Sequence, residues 1–202
     1  MQKFYFSVVN LWCNKNLVDL EFMIWSIFDK KTKDFEIEFF LDPEMDEVEY
    51  VIINTCWFLS SSREEAEETI KYYDDLWKKI IVMWCYVEVK DDDFLLSLNN
   101  LITALPHNKS SDLDLIFAWD NFKTLKEKIK ISKDNIFRDY LKWLAKSNLD
   151  KKAFLWTGLD NRAYLNADLG YEFLKIAEWC DNNCTFCIIP SIRWRQISRS
   201  FE

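Results

Sequence analysis

The amino-acid sequence predicts an α/β fold, in which a mostly parallel sheet carries helices on both faces and is followed by the start of a second domain. Strand-like and helix-like segments alternate through the first two-thirds of the chain, as in folds with right-handed crossovers. One strand segment, residues 49–55, is an apolar run of the kind found in sheets buried on both faces. Half of the 202 residues are apolar, so the chain can bury one or two cores.

The elements follow from apolar runs and from hydrophobic spacing. The predicted strands are KFYFSVVN (3–10), FEIEFFL (35–41), EYVIINT (49–55), KKIIVMW (78–84) and LITAL (101–105). A helix is predicted over 16–30, because Leu17, Leu20 and Ile24 recur at helical spacing. A second helix is predicted over 60–76, where serines precede Glu64 and Glu65 as in a helix start with acids in its first turn. Residues 91–98 form a short predicted helix.

The domain organisation predicted from this pattern has three parts. Residues 1–130 form the first domain, and residues 131–169 are a connector. The two glycines of the chain lie within the connector, at Gly158, and directly after it, at Gly170. Residues 170–202 begin a second domain, in which YEFLKIAE (171–178) is a strand candidate that leads into a cysteine-rich loop.

Composition restricts the class of function. The net charge of -8 argues against direct nucleic-acid binding by this chain and suits a basic partner. No apolar run approaches the roughly eighteen residues that a membrane span needs, and the first twenty residues do not resemble a secretion signal, so we expect a cytoplasmic protein. In that reducing compartment, six cysteines indicate metal binding or catalysis rather than structural disulfides.

Three cysteines occupy equivalent places in the pattern. Cys13, Cys56 and Cys85 each come just after an apolar strand segment. Because the carboxyl ends of parallel strands lie at one edge of a sheet, where open α/β folds bind their ligands, we expect the three thiols to converge. The alternative is that each is a small buried hydrophobic residue.

The other three cysteines are local. Cys180, Cys184 and Cys187 lie within eight residues, CDNNCTFC, so one loop can place them around a single inorganic centre. Iron–sulfur clusters are normally held by four thiolates, and three would leave one iron of a four-iron cluster open to a substrate or cofactor. A zinc site completed by a fourth residue is the alternative, although the only histidine, His107, is far away in sequence.

The CxxxCxxC spacing, with Phe186 before the last cysteine, resembles the signature of radical S-adenosylmethionine enzymes. The longer run EWCDNNCTFCIIP resembles the methylthiotransferase branch, whose members read EGC followed by CTFCIIP. Three upstream segments resemble the same branch: NTCWF its NTCGF, IIVMWC its IIVTGC, and VNLWCNKNLVDLE its SLGCAKNLVDSE. The last segment favours members that modify an aspartate of a small-subunit ribosomal protein over members that modify a tRNA adenosine.

The resemblance implies two four-iron four-sulfur clusters and S-adenosylmethionine as cofactors. It assigns metal-ligand roles to Cys13, Cys56, Cys85, Cys180, Cys184 and Cys187. It places Phe186 near S-adenosylmethionine and names no side chain as catalytic, because the cofactor performs the radical chemistry. Asn16, Asn54 and Thr55 match motifs near the upstream cluster, where ordinary turn and capping hydrogen bonds are an equal explanation.

The resemblance also implies a basic small-subunit ribosomal protein as substrate and an electron-donor protein as partner. A (β/α) barrel usually takes about 250 residues, and only 32 follow from Tyr171 onward. We therefore expect an N-terminal fragment, inactive by itself, that lacks the later barrel segments. The alternatives are a tRNA adenosine methylthiotransferase and a non-catalytic metal-binding or redox α/β module.

Glycine is scarce and tryptophan abundant. The chain has 2 Gly and 10 Trp, whereas an average composition would give roughly fourteen glycines. Tryptophan stands where the family has glycine at Trp12, Trp57, Trp84, Trp179 and Trp194, with Trp25 and Trp119 as further candidates. Our hypothesis is that the source organism reads UGA as glycine and that the chain shows the same codon read as tryptophan. The alternative is a divergent protein with real tryptophans.

Overall fold

The computed structural model describes residues 2–11, 13–29, 35–89, 92–105, 173–178, 180, 182, 184–187, 189 and 196–198. The strands are β1 (Gln2–Asn10), β2 (Phe35–Phe40), β3 (Tyr50–Thr55), β4 (Lys79–Trp84), β5 (Leu101–Leu105), β6 (Ala177–Glu178) and β7 (Ile197–Ser198). The helices are α1 (Asn14–Asp29), α2 (Ser60–Asp75), α3 (Cys85–Val89) and α4 (Asp92–Ser97).

The first five strands form one sheet in the order β2-β1-β3-β4-β5, and every neighbouring pair in it is parallel. The predicted α/β class with a parallel sheet is therefore confirmed, and each of the five strand segments predicted for this sheet forms a strand. β1, β3 and β4 are consecutive neighbours at the centre. They are also the three strands that lead into Cys13, Cys56 and Cys85.

Helices cover both faces of the sheet, as predicted. Successive residues of β3 point to opposite faces, so that Ile53 packs in one core with Ile70 of α2 and Ile52 packs in the other core with Leu20 of α1. All four side chains are fully buried. Each such side chain stabilises the fold by about 1.5–3 kcal/mol, which explains why continuous apolar runs mark these strands.

The start of α2 differs from the prediction. The residue that caps it is Leu59, in an extended conformation and without a side-chain capping hydrogen bond, and the serines lie inside the first turn. Glu64 and Glu65 fall beyond that turn, so the predicted acidic first turn is wrong. Burial of Ala66 and Ile70 against the sheet holds the helix instead, because packing of an apolar face outweighs capping preferences.

The strand predicted over residues 171–178 is also shorter than expected. Residues 173–176 have no strand pairing, and only β6 pairs, antiparallel, with β7. Leu174 and Ile176 are exposed, so this part of the chain lacks the buried neighbours that favour a long strand. The predicted connector over 131–169, and the first domain beyond residue 105, lie outside the described residues.

No helix in the described ranges has the length and apolar character that crossing a membrane requires.

Candidate metal centre at the carboxyl edge of the sheet

Three cysteines lie at the carboxyl ends of three adjacent strands. Cys13 stands between β1 and α1, Cys56 directly follows β3, and Cys85 directly follows β4. Because these strands are parallel neighbours, their carboxyl ends share one edge of the sheet. The topology therefore brings together three residues that are distant in sequence.

Backbone hydrogen bonds fix the first cysteine at the start of α1. The Leu11 N–H donates to the Asn54 carbonyl at 3.0 Å, which continues the β1–β3 pairing beyond the strands. The chain then turns, with the Cys13 N–H donating to the Leu11 carbonyl at 2.8 Å. The Cys13 carbonyl accepts the Leu17 N–H at 2.9 Å, so Cys13 supplies the first acceptor of the helix.

Thr55 ties together the strand ends that precede the other two cysteines. Its hydroxyl donates to the Met83 carbonyl at 2.5 Å and accepts the Tyr86 N–H at 3.2 Å. Its own carbonyl accepts a hydrogen bond from the Asn16 side-chain amide at 3.2 Å. Thr55 and Asn16 are buried, so each of these bonds satisfies a group that water cannot reach.

Asn54 makes the corresponding link between β1 and β3. Its Nδ2 donates to the Asn10 Oδ1, and its own Oδ1 is buried with no hydrogen-bond partner among the described residues. Asn16, Asn54 and Thr55 thus make the turn and strand-end hydrogen bonds that were one of the two explanations for these motif residues. They hold the edge that carries the cysteines.

The thiol of Cys56 is electrostatically coupled to the other two. Burial raises the pKa of Cys56, and the neighbouring thiols of Cys13 and Cys85 raise this pKa further. Backbone hydrogen bonds with Phe58 and Trp57 act in the opposite direction. The strand order places Cys56 between Cys13 and Cys85 along this edge.

The three thiols do not form a closed ligand set. Within the described ranges, no group of three or more His, Cys, Asp or Glu side chains is arranged to hold a metal ion. None of the six cysteines, all in the described part, forms a disulfide. The metal-ligand assignments of Cys13, Cys56 and Cys85 therefore stay a prediction.

The second cysteine trio lies in a loop after β6. The Cys187 N–H donates to the Cys184 carbonyl at 3.0 Å, which closes a turn that contains Phe186. The Asn182 side-chain amide donates to the Cys180 sulfur at 3.3 Å. Phe186 is 87% exposed and available to a ligand, although its predicted contact with S-adenosylmethionine stays untested.

An ion pair links the segment before this loop to the helix that follows Cys13. The Lys175 ammonium contacts one carboxylate oxygen of Asp19, and the Lys15 ammonium lies 3.1 Å from the other. The side chains of Lys175 and Asp19 are only 11% and 8% exposed. The two cysteine trios therefore lie on segments that contact each other.

Two tryptophans at predicted glycine positions have described side chains. Trp57 has an ordinary φ and is buried, with its ring 5.1 Å from that of Tyr86 and 5.0 Å from the Arg63 guanidinium carbon. Trp84, directly before Cys85, has a φ of 83°, in the region that favours glycine. Trp25 lies inside α1, whereas Trp12, Trp119, Trp179 and Trp194 lie outside the described residues.

Sequence reasoning missed several residues that shape this site. Tyr86 is fully buried in the unpredicted helix α3, where its hydroxyl donates to the Glu67 carboxylate at 3.1 Å. Burial, followed by the charge of Glu67, raises the pKa of Tyr86. Asp19 was also missed, because its partner Lys175 is 156 residues away and no local pattern signals such a contact.

Comparison with known proteins agrees with this geometry. The model of the uncharacterized protein family UPF0004 matches residues 5–104, which include the whole sheet edge. The ribosomal protein uS12 methylthiotransferase RimO of Acetivibrio thermocellus is 30% identical over 97% of the chain and 40% of its own length. The protein of the same name from Aquifex aeolicus is 30% identical over 97% of the chain and 35% of its own length. The one from Microcystis aeruginosa is 27% identical over 97% of the chain and 39% of its own length.

The chain spans about 40% of the length of these curated relatives. The methylthiotransferase resemblance of the cysteine motifs is confirmed over nearly the whole chain, since the matched region contains both trios. The chain is therefore similar over nearly its whole length to the first two-fifths of RimO-type methylthiotransferases, and its residues 5–104 match the UPF0004 family.

Proposed function

We propose that the chain is part of an iron–sulfur, radical S-adenosylmethionine enzyme that methylthiolates the β-carbon of an aspartate in the small-subunit ribosomal protein uS12. The observation that carries this proposal is the meeting of Cys13, Cys56 and Cys85 at one edge of a parallel sheet. The similarity to uS12 methylthiotransferases supports the substrate.

The donor set at the sheet edge suits an iron–sulfur cluster. Thiolates are the ligands that such clusters prefer, and cysteine is the soft donor that the ends of β1, β3 and β4 supply. Cys13, Cys56 and Cys85 would hold the auxiliary cluster, which carries the sulfur to be transferred. Thr55 and Asn54 would position it by holding the strand ends in register.

Cys180, Cys184 and Cys187 would hold the second four-iron cluster together with S-adenosylmethionine, beside the exposed ring of Phe186. When bound, this pair of cofactors supplies radical chemistry that side chains cannot perform. The hydrogen bond from the Cys187 N–H to the Cys184 carbonyl supports this assignment, because it holds the two residues together in one turn. No protein side chain is assigned a catalytic role.

The partners follow from charge and from the named relatives. A net charge of -8 favours a basic ribosomal protein over a nucleic acid as the molecule that this chain contacts. An electron-donor protein is required to reduce the cluster, and both partners place the enzyme in the cytoplasm. Within the chain we assign 1–130 to the auxiliary-cluster domain, 131–169 to a connector and 170–202 to the start of the radical domain.

The activity is proposed for a gene product that includes the remaining length of the relatives, because the chain spans only about 40% of it. We infer that the 202 residues alone do not turn over. The relatives named above act on uS12 by name, which supports the ribosomal substrate over a tRNA adenosine.

The test is anaerobic turnover by the full-length gene product with S-adenosylmethionine, sulfide and a reductant, offered either uS12 or tRNA. The proposal predicts a methylthio group on one aspartate of uS12, detected by peptide mass spectrometry. The Cys56→Ala variant should lose the methylthio transfer. It should still cleave S-adenosylmethionine, because that reaction belongs to the second trio. Modification of tRNA with unmodified uS12, or modification of neither, would overturn the proposal.

A further inference from the structure

Residue 77 is a tryptophan that directly follows α2 and belongs to none of the motifs discussed above. Leu76 is the helix cap. After it, the Trp77 N–H donates to the Asp74 carbonyl and the Lys78 N–H to the Tyr73 carbonyl, both at 3.1 Å. This pair of bonds defines the Schellman motif, in which the residue after the cap takes a left-handed conformation and is usually glycine. Trp77 has a φ of 58°, as that motif requires.

Left-handed backbone in the described residues is confined to tryptophan. The described ranges contain no glycine, and the residues with positive φ among them are Trp77 and Trp84. Asparagine and aspartate, which tolerate this conformation better than other side chains, are numerous in the same ranges and do not adopt it there. A Cβ in this conformation costs about 1–2 kcal/mol, so a bulky aromatic residue is an unfavourable choice at both places.

We propose that residue 77 is decoded as glycine in the source organism, like residue 84, and that the functioning protein carries glycine at both positions. Position 84 was already suspected from its motif, whereas position 77 is identified by backbone geometry alone. The inference does not depend on the proposed function, because it concerns only the backbone of α2 and β4.

The surroundings of the two side chains fit this assignment in different ways. Trp77 is 79% exposed, so glycine would remove a large exposed apolar side chain at little cost in burial. The Trp84 indole is buried, with its ring centroid 5.9 Å from the Lys15 ammonium. Glycine there would clear space between the start of α1 and the end of β4, beside the cysteine edge.

Position 77 allows a clean stability test, because replacement there loses almost no burial. We compare the 202-residue chain with its Trp77→Gly and Trp77→Ala variants by urea unfolding, followed by far-ultraviolet circular dichroism. Alanine keeps the Cβ and glycine removes it, so the unfolding equilibrium constant of the glycine variant should be lower than that of the alanine variant by about fivefold (about 1 kcal/mol). At Trp57, where φ is ordinary, the alanine variant should be more stable than the glycine variant. An alanine variant at 77 as stable as the glycine variant would overturn the backbone argument.

The decoding itself is tested by the codons and by the native protein. The proposal predicts UGA at codons 77 and 84, and peptides from the source organism that contain glycine at both positions by mass spectrometry. UGG codons, or native peptides with tryptophan at 77, would overturn it.

Discussion

Single buried polar side chains join elements that are distant in sequence. Asp74, in the last turn of α2, is 3% exposed, and its carboxylate accepts the Asn99 N–H at 3.2 Å and the Asn100 N–H at 2.7 Å. Its backbone carbonyl accepts the Asn100 side-chain amide at 2.9 Å. One aspartate therefore fixes the loop that leads into β5.

We predict that Asp74→Ala destabilises the fold by about 2–4 kcal/mol, because two backbone N–H groups lose a buried, charged acceptor. The matched control is Asp75→Ala. The Asp75 side chain is 64% exposed and its ion pair is with the exposed Lys71, so its loss should cost about 0–0.5 kcal/mol. Urea unfolding of the two variants measures the difference, and equal losses would contradict the role given to Asp74.

The raised pKa of Tyr73 makes the stability of the fold depend on pH in alkaline solution. Burial, followed by the nearby charge of Glu44, raises the pKa of Tyr73 from 10.0 to about 12 in the folded protein. Between these values the unfolded chain loses the phenolic proton first, so this group makes stability fall as pH rises above 10. Tyr73→Phe should flatten the decline between pH 10 and 12 in unfolding measurements, relative to the unmodified chain. An unchanged slope would show that Tyr73 does not titrate as described.

At the scale of elements, the edge that carries the cysteines is held by hydrogen bonds between strand ends. Thr55, at the end of β3, bonds the Met83 carbonyl near the end of β4 and the Tyr86 N–H at the start of α3 through one hydroxyl. Asn16 reaches the same residue from α1. β4 and α3 meet at the Thr55 hydroxyl and α1 meets its backbone carbonyl, so three elements that precede or follow cysteines are joined at one residue.

We predict that Thr55→Val costs about 1–3 kcal/mol of stability, because the Tyr86 N–H and the Met83 carbonyl both lose a buried partner. Thr55→Ser keeps the hydroxyl and loses only a methyl group, so it should cost about 1 kcal/mol or less. Unfolding free energies from urea titrations compare the two. A serine variant as unstable as the valine variant would contradict the hydrogen-bonding role.

The central strands β3 and β4 could be predicted because they are buried on both faces of the sheet and therefore appear as apolar runs. The run from Tyr50 to Thr55, in which every residue is buried, is the clearest case. The start of α2 could not be predicted from capping residues, since the contacts of Ala66 and Ile70 with the sheet decide it. The helix α3 is too short for hydrophobic spacing to reveal it.

At the scale of the whole molecule, the Asp19–Lys175 pair connects the sheet domain to the segment before the second cysteine trio. Both side chains are nearly buried, and Lys15 shares the carboxylate. A buried charge that loses its partner is costly, so this pair should couple the two segments more strongly than a surface pair can.

A double-mutant cycle with Asp19→Asn and Lys175→Gln tests this contact. We predict a coupling free energy of at least about 1.5 kcal/mol, measured by urea unfolding. The control pair is Glu49 and Lys79, whose side chains are 48% and 45% exposed, and its coupling should be at most about 0.5 kcal/mol. A coupling near zero for Asp19 and Lys175 would show that the two segments do not dock in solution.

The candidate site could be predicted from sequence only in part. Each of Cys13, Cys56 and Cys85 follows an apolar strand segment, which is a local signal in the sequence. Their meeting at one edge then follows from the general rule that the carboxyl ends of parallel strands share an edge of the sheet. The contact of Asp19 with Lys175 and the left-handed backbone at Trp77 depend on tertiary structure, which no window of sequence reports. The position of Cys56 between the other two cysteines could be established only from the strand order in the structure.

The most direct test of the central claim is iron and sulfide content after anaerobic reconstitution of the chain with glycine at positions 77 and 84. If each cysteine trio holds one four-iron cluster, replacement of Cys13, Cys56 and Cys85 by alanine should remove about half of the bound iron, and the same change at Cys180, Cys184 and Cys187 should remove the other half. Iron content that neither replacement changes, or zinc bound without iron–sulfur absorbance, would contradict the account.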